Sequence, residues 1–95
     1  MDREELLKII ESKEVIGIDL SGQRLEKIDF TGCRIERTSF KGCELVHCRF
    51  RNTKISWSDF RYAEIQHGTF EGAEIEFSDF YRAFIDGVVI FSGSS

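Results

Sequence analysis

The sequence contains no proline, only three cysteines and no large excess of either charge. No stretch approaches the ~20 apolar residues of a membrane span, and the first residues, Met1–Glu5, lack the features of a secretion signal. An odd cysteine count without such a signal predicts reduced thiols in a cytoplasmic protein. A net charge of −4 argues against a broad nucleic-acid-binding surface. At 95 residues the chain is expected to form one soluble domain with no membrane or nucleic-acid contact.

A five-residue period runs through most of the chain. Every fifth residue from Leu20 to Ile90 is Leu, Ile or Phe, although these types fill only 25 of the 95 positions. The residue two before each of these centres is usually small or apolar, and the residue just before it is mostly polar. Each pentad therefore predicts a short strand with alternating inward and outward residues, followed by a turn. A helix is excluded, because steps of roughly 100° per residue would scatter the centres around its surface.

The turns carry their own signal. Gly22, Gly32, Gly42, Gly72 and Gly87 lie two residues after their centres, where a tight corner requires a positive φ. The period and the corners together predict a coil that changes direction once in every pentad.

These pentads resemble the pentapeptide-repeat family, whose pattern is a small residue, a polar residue, Leu or Phe, and two further polar residues. Residues 63–67, 73–77 and 78–82 match this pattern well, and the resemblance covers about residues 16 to 90. It implies an all-β solenoid, a right-handed quadrilateral β-helix with four pentads per coil and just under four coils.

Four pentads per coil place residues twenty apart on the same wall. Phe and aliphatic centres then occupy alternate walls: Leu20, Phe40, Phe60 and Phe80; Leu25, Leu45, Ile65 and Ile85; Phe30, Phe50, Phe70 and Ile90; Ile35, Ile55 and Ile75. The large rings of opposite walls are expected to fill a narrow square core.

The two ends differ from the repeat. Residues 1–15 are predicted to form a capping helix and lead-in, with the helix over residues 3–12 capped by Asp2. Residues 16–91 form the β-helix and residues 92–95 a flexible tail. Val88–Phe91 give the last coil apolar surface without a cap, which suggests either self-association there or a longer solenoid.

Charge and exposed aromatic residues are both uneven along the chain. Residues 16–61 carry a net charge of +3 and residues 62–95 a net charge of −5. This charge polarity suggests head-to-tail association or electrostatic steering of a partner. Alternatively, it is an incidental feature of a solvated surface. Outward aromatic residues and arginine late in the chain are typical of interfaces, although they can also merely cover neighbouring turns. The candidate interaction surface comprises Trp57, Tyr62, Phe77, Tyr81, Arg82, Phe84 and Phe91.

No catalytic, cofactor-binding or metal-binding residues are predicted. The sequence lacks a Gly-rich phosphate loop, HExxH, GxSxG and paired catalytic carboxylates. His47 and His67 share a predicted corner, but the inward Cys48 points away from them. Cys33, Cys43 and Cys48 occupy small inward positions and are expected to be buried. No small-molecule substrate is expected.

Three functions remain open at this stage. The first is a non-enzymatic, rigid protein-interaction scaffold that binds a protein partner or a second copy of itself, with self-association through the C-terminal coil. The second follows from the resemblance, because some family members mimic DNA and bind type II topoisomerases, protecting or inhibiting gyrase. The basic first half of this chain fits that role poorly. The third is a structural segment of a longer solenoid.

Overall fold

A computed structural model of the chain describes residues 1–86 in full and the backbone of residues 90–92. It begins with helix α1 (Arg3–Glu11), whose N-cap Asp2 accepts a hydrogen bond from the Glu5 amide at 2.9 Å. Leu6 and Ile10 are buried on the face that packs against the first strand, so the predicted capping helix is confirmed. No helix among the described residues is long and apolar enough to cross a membrane.

Within the described residues, ten three-residue strands follow the helix, and all their pairings are parallel. The strands are β1 (Glu14–Ile16), β2 (Arg24–Glu26), β3 (Arg34–Glu36), β4 (Glu44–Val46), β5 (Lys54–Ser56), β6 (Glu64–Gln66), β7 (Thr69–Glu71), β8 (Glu74–Glu76), β9 (Phe84–Asp86) and β10 (Ile90–Ser92). β1, β3, β5 and β8 form one sheet, and β2, β4, β6 and β9 form another. Strands that neighbour each other within these two sheets are twenty residues apart, which confirms the predicted stacking.

The other two walls are held by shorter contacts. Single parallel bridges join Asp19 to Ser39, Ser39 to Asp59 and Asp59 to Asp79 on one of them. The opposite wall has bridges from Asp29 to Arg49 and from Arg49 to Thr69, followed by the two-stranded sheet of β7 and β10. The chain is therefore an all-parallel, four-sided β-solenoid of about four turns.

Two columns of stacked phenylalanines fill the core. Phe40, Phe60 and Phe80 form one column, with successive ring centroids 4.6 Å apart. Phe30, Phe50 and Phe70 form the other, at 4.7 and 4.8 Å. The columns meet edge to face, as between Phe40 and Phe50 at 5.8 Å. Aliphatic side chains complete the core on the two sheet walls, as the alternation of Phe and aliphatic centres predicts.

The structure changes the predicted walls at both ends. Val15, assigned to the lead-in from the sequence, is fully buried and pairs with Ile35 as the first residue of its wall. The register also places Phe91 opposite Phe70, so the prediction that Ile90 continues that wall is wrong by one residue. The spacing between these strands is twenty-one residues instead of twenty, which interrupts the strict period near the end of the repeat.

Every described corner residue two after a centre has a positive φ, from Gly17 to Arg82. Gly22, Gly32, Gly42 and Gly72 behave as predicted, whereas Gly87 lies outside the described residues. Most of these corners are occupied by residues other than glycine, among them Arg37, Trp57 and Phe77. The left-handed backbone is unfavourable for such side chains by roughly 1–2 kcal/mol each, so the stacked coils hold the corners in place. An exposed aromatic residue at a corner is thus fixed by a rigid backbone.

Candidate functional site

Five of the seven predicted interaction residues surround one wall of the solenoid. This is the bridge wall whose inward centres are Leu20, Phe40, Phe60 and Phe80. One flanking corner carries the column Gly17, Arg37, Trp57 and Phe77, and the other carries Gly22, Gly42, Tyr62 and Arg82. We call this wall with its two corner columns the aromatic face.

Trp57 and Phe77 stack at the first corner, as the sequence predicts. Their ring centroids are 4.7 Å apart and their planes are inclined by 13°. The Trp57 amide donates to the Glu76 carbonyl at 3.3 Å, so the two corners are tied together by the backbone. The side chains are 59% and 70% exposed, which is unusual for rings of this size. The stack is therefore an ordered apolar surface in contact with solvent.

Tyr62, Tyr81 and Arg82 form a second cluster at the other corner. The two tyrosine rings meet edge to face at 6.0 Å. The Arg82 Nε donates to the Tyr81 hydroxyl at 3.1 Å, and its guanidinium lies 5.5 Å from the centre of the Tyr81 ring. Both tyrosines remain at least half exposed. The cluster presents aromatic edges together with one positive charge.

An ion pair covers the wall between the two clusters. The Arg61 guanidinium donates to both Asp59 carboxylate oxygens, with its Nη2 2.7 Å from Oδ2, and the Arg61 amide donates to the same carboxylate. Hydrogen bonding from the Arg61 side chain lowers the pKa of Asp59, and this partnership raises the pKa of Arg61. The pair was not among the predicted site residues, and the Asp-x-Arg spacing around Phe60 is the signal that indicates it.

Asp59 belongs to a recurring local turn. Seven described pentads on the two bridge walls have a bridge, and in six of them the residue before the centre is Asp, Ser or Thr. In each of these six, the side chain of this residue accepts a hydrogen bond from the backbone amide two residues later. The two sheet walls have Arg, Lys, Glu or Phe at this position instead. Short polar side chains that bond to their own backbone favour turns. This ten-residue alternation distinguishes the bridge walls from the sheet walls.

The remaining predicted residues are not brought into either cluster. Phe84 is 59% exposed on β9, on the sheet wall next to the Tyr62–Arg82 corner, and within the described part of the chain it makes no ring contact. The side chain of Phe91 lies outside the described residues, so its proposed surface role stays a prediction. Exposed Ile85 lies beside Phe84 and was missed because it occupies a predicted core position.

Other candidates for chemistry are arranged as packing or surface residues. Cys33, Cys43 and Cys48 are free and buried, as predicted. Burial raises the pKa of the Cys43 and Cys48 thiols to about 11, which suppresses thiolate chemistry. His47 and His67 stack 5.1 Å apart at a corner. Across residues 1–86, no three His, Cys, Asp or Glu side chains are grouped so as to hold a metal ion.

The family model described as a pentapeptide repeat region matches residues 15–88, in agreement with the repeat. A pentapeptide repeat protein from the Arabidopsis thaliana thylakoid lumen is similar at 25% identity and a TM-score of 0.43; the match covers 86% of this chain and 61% of that protein. One from the cyanobacterium Cyanothece is similar at 10% identity and a TM-score of 0.47, covering 94% of this chain and 98% of that one. No curated protein matches the chain.

Proposed function

The chain belongs to the pentapeptide-repeat family, and from that premise we propose that it is a non-enzymatic, rigid scaffold that binds protein through its aromatic face. Proteins of this family are generally structural or interaction proteins. The observation that carries the proposal is the stacked and exposed Trp57–Phe77 pair. Monomeric soluble proteins rarely leave such a surface uncovered, and large aromatic residues are the usual anchors of interfaces.

Rigidity makes the face effective for binding. The aromatic corners are fixed by backbone hydrogen bonds between successive coils, such as Tyr62 amide to Tyr81 carbonyl at 3.0 Å. A preorganised surface loses little conformational entropy when a partner docks. The mixture of rings, Arg82 and the Asp59–Arg61 pair matches the composition of interfaces, in which aromatic residues and arginine are enriched.

The fourth coil supplies Phe77, Tyr81, Arg82 and Phe84 to this region, so binding there is also association through the C-terminal coil. The predicted contact residues Val88–Phe91 lie outside the residues whose side chains the structure describes. The proposal therefore rests on the described aromatic face. We further propose a cytoplasmic protein partner or a second copy of the chain as its occupant.

The test replaces both stacked rings. Trp57→Ser with Phe77→Ser is expected to abolish partner capture or self-association, measured by pull-down and light scattering, while the circular-dichroism spectrum stays unchanged. The matched control is Leu7→Ser with Ile16→Ser, which removes two apolar side chains of 40% and 39% exposure near the N-terminus. The control should bind like the parent protein. Equal binding by the parent and the Trp57/Phe77 variant would reject the aromatic face as the binding site.

A further inference from the structure

We infer that the partner of the aromatic face is a second copy of this chain, docked side by side and antiparallel about a two-fold axis. This inference rests on the proposed function, because it assigns an occupant to the same face. In this arrangement the third coils, which contain Phe60, face each other, and the second coil of each copy, which contains Phe40, faces the fourth coil of the other, which contains Phe80. A closed two-fold contact of this kind uses one self-complementary patch on both copies.

Shape is the first argument. The Tyr62–Arg82 corner of the face carries Gly22 and Gly42 towards the N-terminus, which have no side chains, and Tyr62 and Arg82 towards the C-terminus, whereas the other corner carries Arg37 as well as Trp57 and Phe77. The Tyr62–Arg82 corner is thus low at one end and high at the other. Antiparallel copies bring Arg82 of the fourth coil of each copy opposite Gly42 of the second coil of the other. Parallel copies would leave a gap between their low ends and lose packing contacts there.

Charge is the second argument. Residues 16–61 carry +3 and residues 62–95 carry −5. An antiparallel pair places these segments against each other, whereas a parallel pair places the two acidic segments side by side, and like charges across an interface are unfavourable. On the face itself, Lys41 in the second coil and Asp79 in the fourth both lack an ion-pair partner among the described residues. The antiparallel geometry brings Lys41 of one copy within reach of Asp79 of the other.

The aromatic columns fit the same register. Arg37 lies in the same corner column as Trp57 and Phe77, two coils from Phe77. In the antiparallel pair the exposed Arg37 meets Phe77 of the second copy, and a guanidinium over an aromatic ring is attractive. Trp57 meets its own equivalent at the two-fold axis. The face offers the second copy both a cation for its outer ring and an aromatic partner for its inner ring.

The expected affinity follows from the area. The molecule measures 27 × 23 × 21 Å, and three of the four coils overlap in this register, so two facing sides bury less than about 1,000 Å² in total, at or below the low end of specific interfaces. The dimer is therefore weak, with a Kd on the order of 10 μM or above. Sedimentation velocity over a concentration series spanning this range is expected to show a concentration-dependent monomer–dimer equilibrium.

A double-mutant cycle tests the register. Lys41→Glu is expected to weaken dimerisation at least about tenfold in the parent, because it brings a second carboxylate within reach of the Asp79 carboxylate of the other copy. In an Asp79→Asn background the same change should weaken it less than about threefold. Asp79→Asn keeps the side-chain oxygen that accepts from the Tyr81 amide at 2.8 Å, so the local turn is retained. Arg51→Glu, on the opposite wall, is the charge-matched control and should leave the Kd unchanged.

The outcomes separate the two proposals. Equal effects of Lys41→Glu in both backgrounds would overturn the antiparallel register. A monomer at all concentrations would overturn self-association while leaving the scaffold proposal intact, provided that Trp57→Ser with Phe77→Ser still abolishes capture of another protein. A dimer that survives the Trp57/Phe77 change would reject the antiparallel pair, and capture of another protein that also survives this change would reject the scaffold proposal. Circular dichroism of each variant confirms that the fold is retained.

Discussion

Removal of the Phe50 ring should destabilise this solenoid more than removal of any ring near its C-terminal end. Phe50 is fully buried and contacts four other rings. Two of them stack on it at 4.7 and 4.8 Å, and the other two meet it edge to face at 5.8 and 6.2 Å. The substitution Phe50→Ala therefore removes contacts within its own column and across the core.

The magnitude follows from these contacts. A buried Phe→Ala change costs about 3–5 kcal/mol through lost burial and the cavity left behind. Aromatic pairs add about 0.5–1.5 kcal/mol each beyond burial, so Phe50→Ala belongs at the upper end, near 5 kcal/mol. Phe80 is only partly buried and, among the rings that the structure describes, contacts two, Phe60 at 4.6 Å and Phe70 at 6.5 Å. Its replacement by Ala should cost about 2–3 kcal/mol.

Urea unfolding followed by far-ultraviolet circular dichroism measures this difference. Given slopes of about 1–3 kcal/mol per molar urea, the midpoints of the Phe50→Ala and Phe80→Ala variants should differ by about 1 M or more. Since a domain of this size is stable by only about 5–15 kcal/mol, Phe50→Ala can unfold the protein outright. Phe50→Leu and Phe80→Leu then provide the same comparison at smaller cost. Equal losses at the two positions would refute the argument from ring contacts.

Two further predictions concern the small inward positions. The Ser58 hydroxyl accepts a hydrogen bond from the buried Thr38 amide at 3.3 Å and donates one to the Ser56 carbonyl at 3.2 Å. Ser58→Ala leaves the Thr38 amide without this acceptor and should lower the free energy of unfolding by about 1–3 kcal/mol, whereas Ser58→Thr should retain most of the stability. An unchanged urea midpoint for Ser58→Ala would contradict this role. Burial raises the pKa of the Cys43 and Cys48 thiols to about 11 in the folded protein, against 9.0 for a free thiol. A raised folded pKa stabilises the fold below pH 9, and this contribution is lost as the pH rises towards 11, so thermal stability should fall across this window and should fall less in a Cys43→Ala, Cys48→Ala variant. An equal fall in both proteins would argue against the thiols as the cause.

Much of the fold could be predicted because the repeat is local and repeated many times. Each pentad specifies its own inward residue and its own corner, and successive coils then stack in register over twenty residues. The Phe40–Phe60–Phe80 column and the Trp57–Phe77 stack both follow from this spacing. The ten-residue alternation of Asp, Ser or Thr with longer charged residues was equally available in the sequence, and it distinguishes the bridge walls from the sheet walls.

The prediction for Ile90 is wrong because it follows the period alone. Ile90 is the next centre in the count on the Phe70 wall, but the backbone register brings Phe91 to that level. Val15 precedes the first obvious pentad and belongs to the predicted lead-in; in the structure it pairs with Ile35 and is buried. Pairing between strands is decided by hydrogen bonds and packing across coils, and these can absorb an extra residue that a fixed period cannot represent.

The five-residue period, the alternation of Phe and aliphatic walls and the capping helix can all be predicted from the sequence, because each depends on residue type at regular spacing. How the exposed residues combine depends on the folded chain. The tertiary structure brings Arg82 onto the ring of Tyr81, places the Asp59–Arg61 pair between two aromatic corners and leaves Lys41 and Asp79 two coils apart on one wall. A repeat dictates which side chains face outwards, but the contacts among long outward side chains depend on the distances and angles between coils, which only the folded backbone supplies.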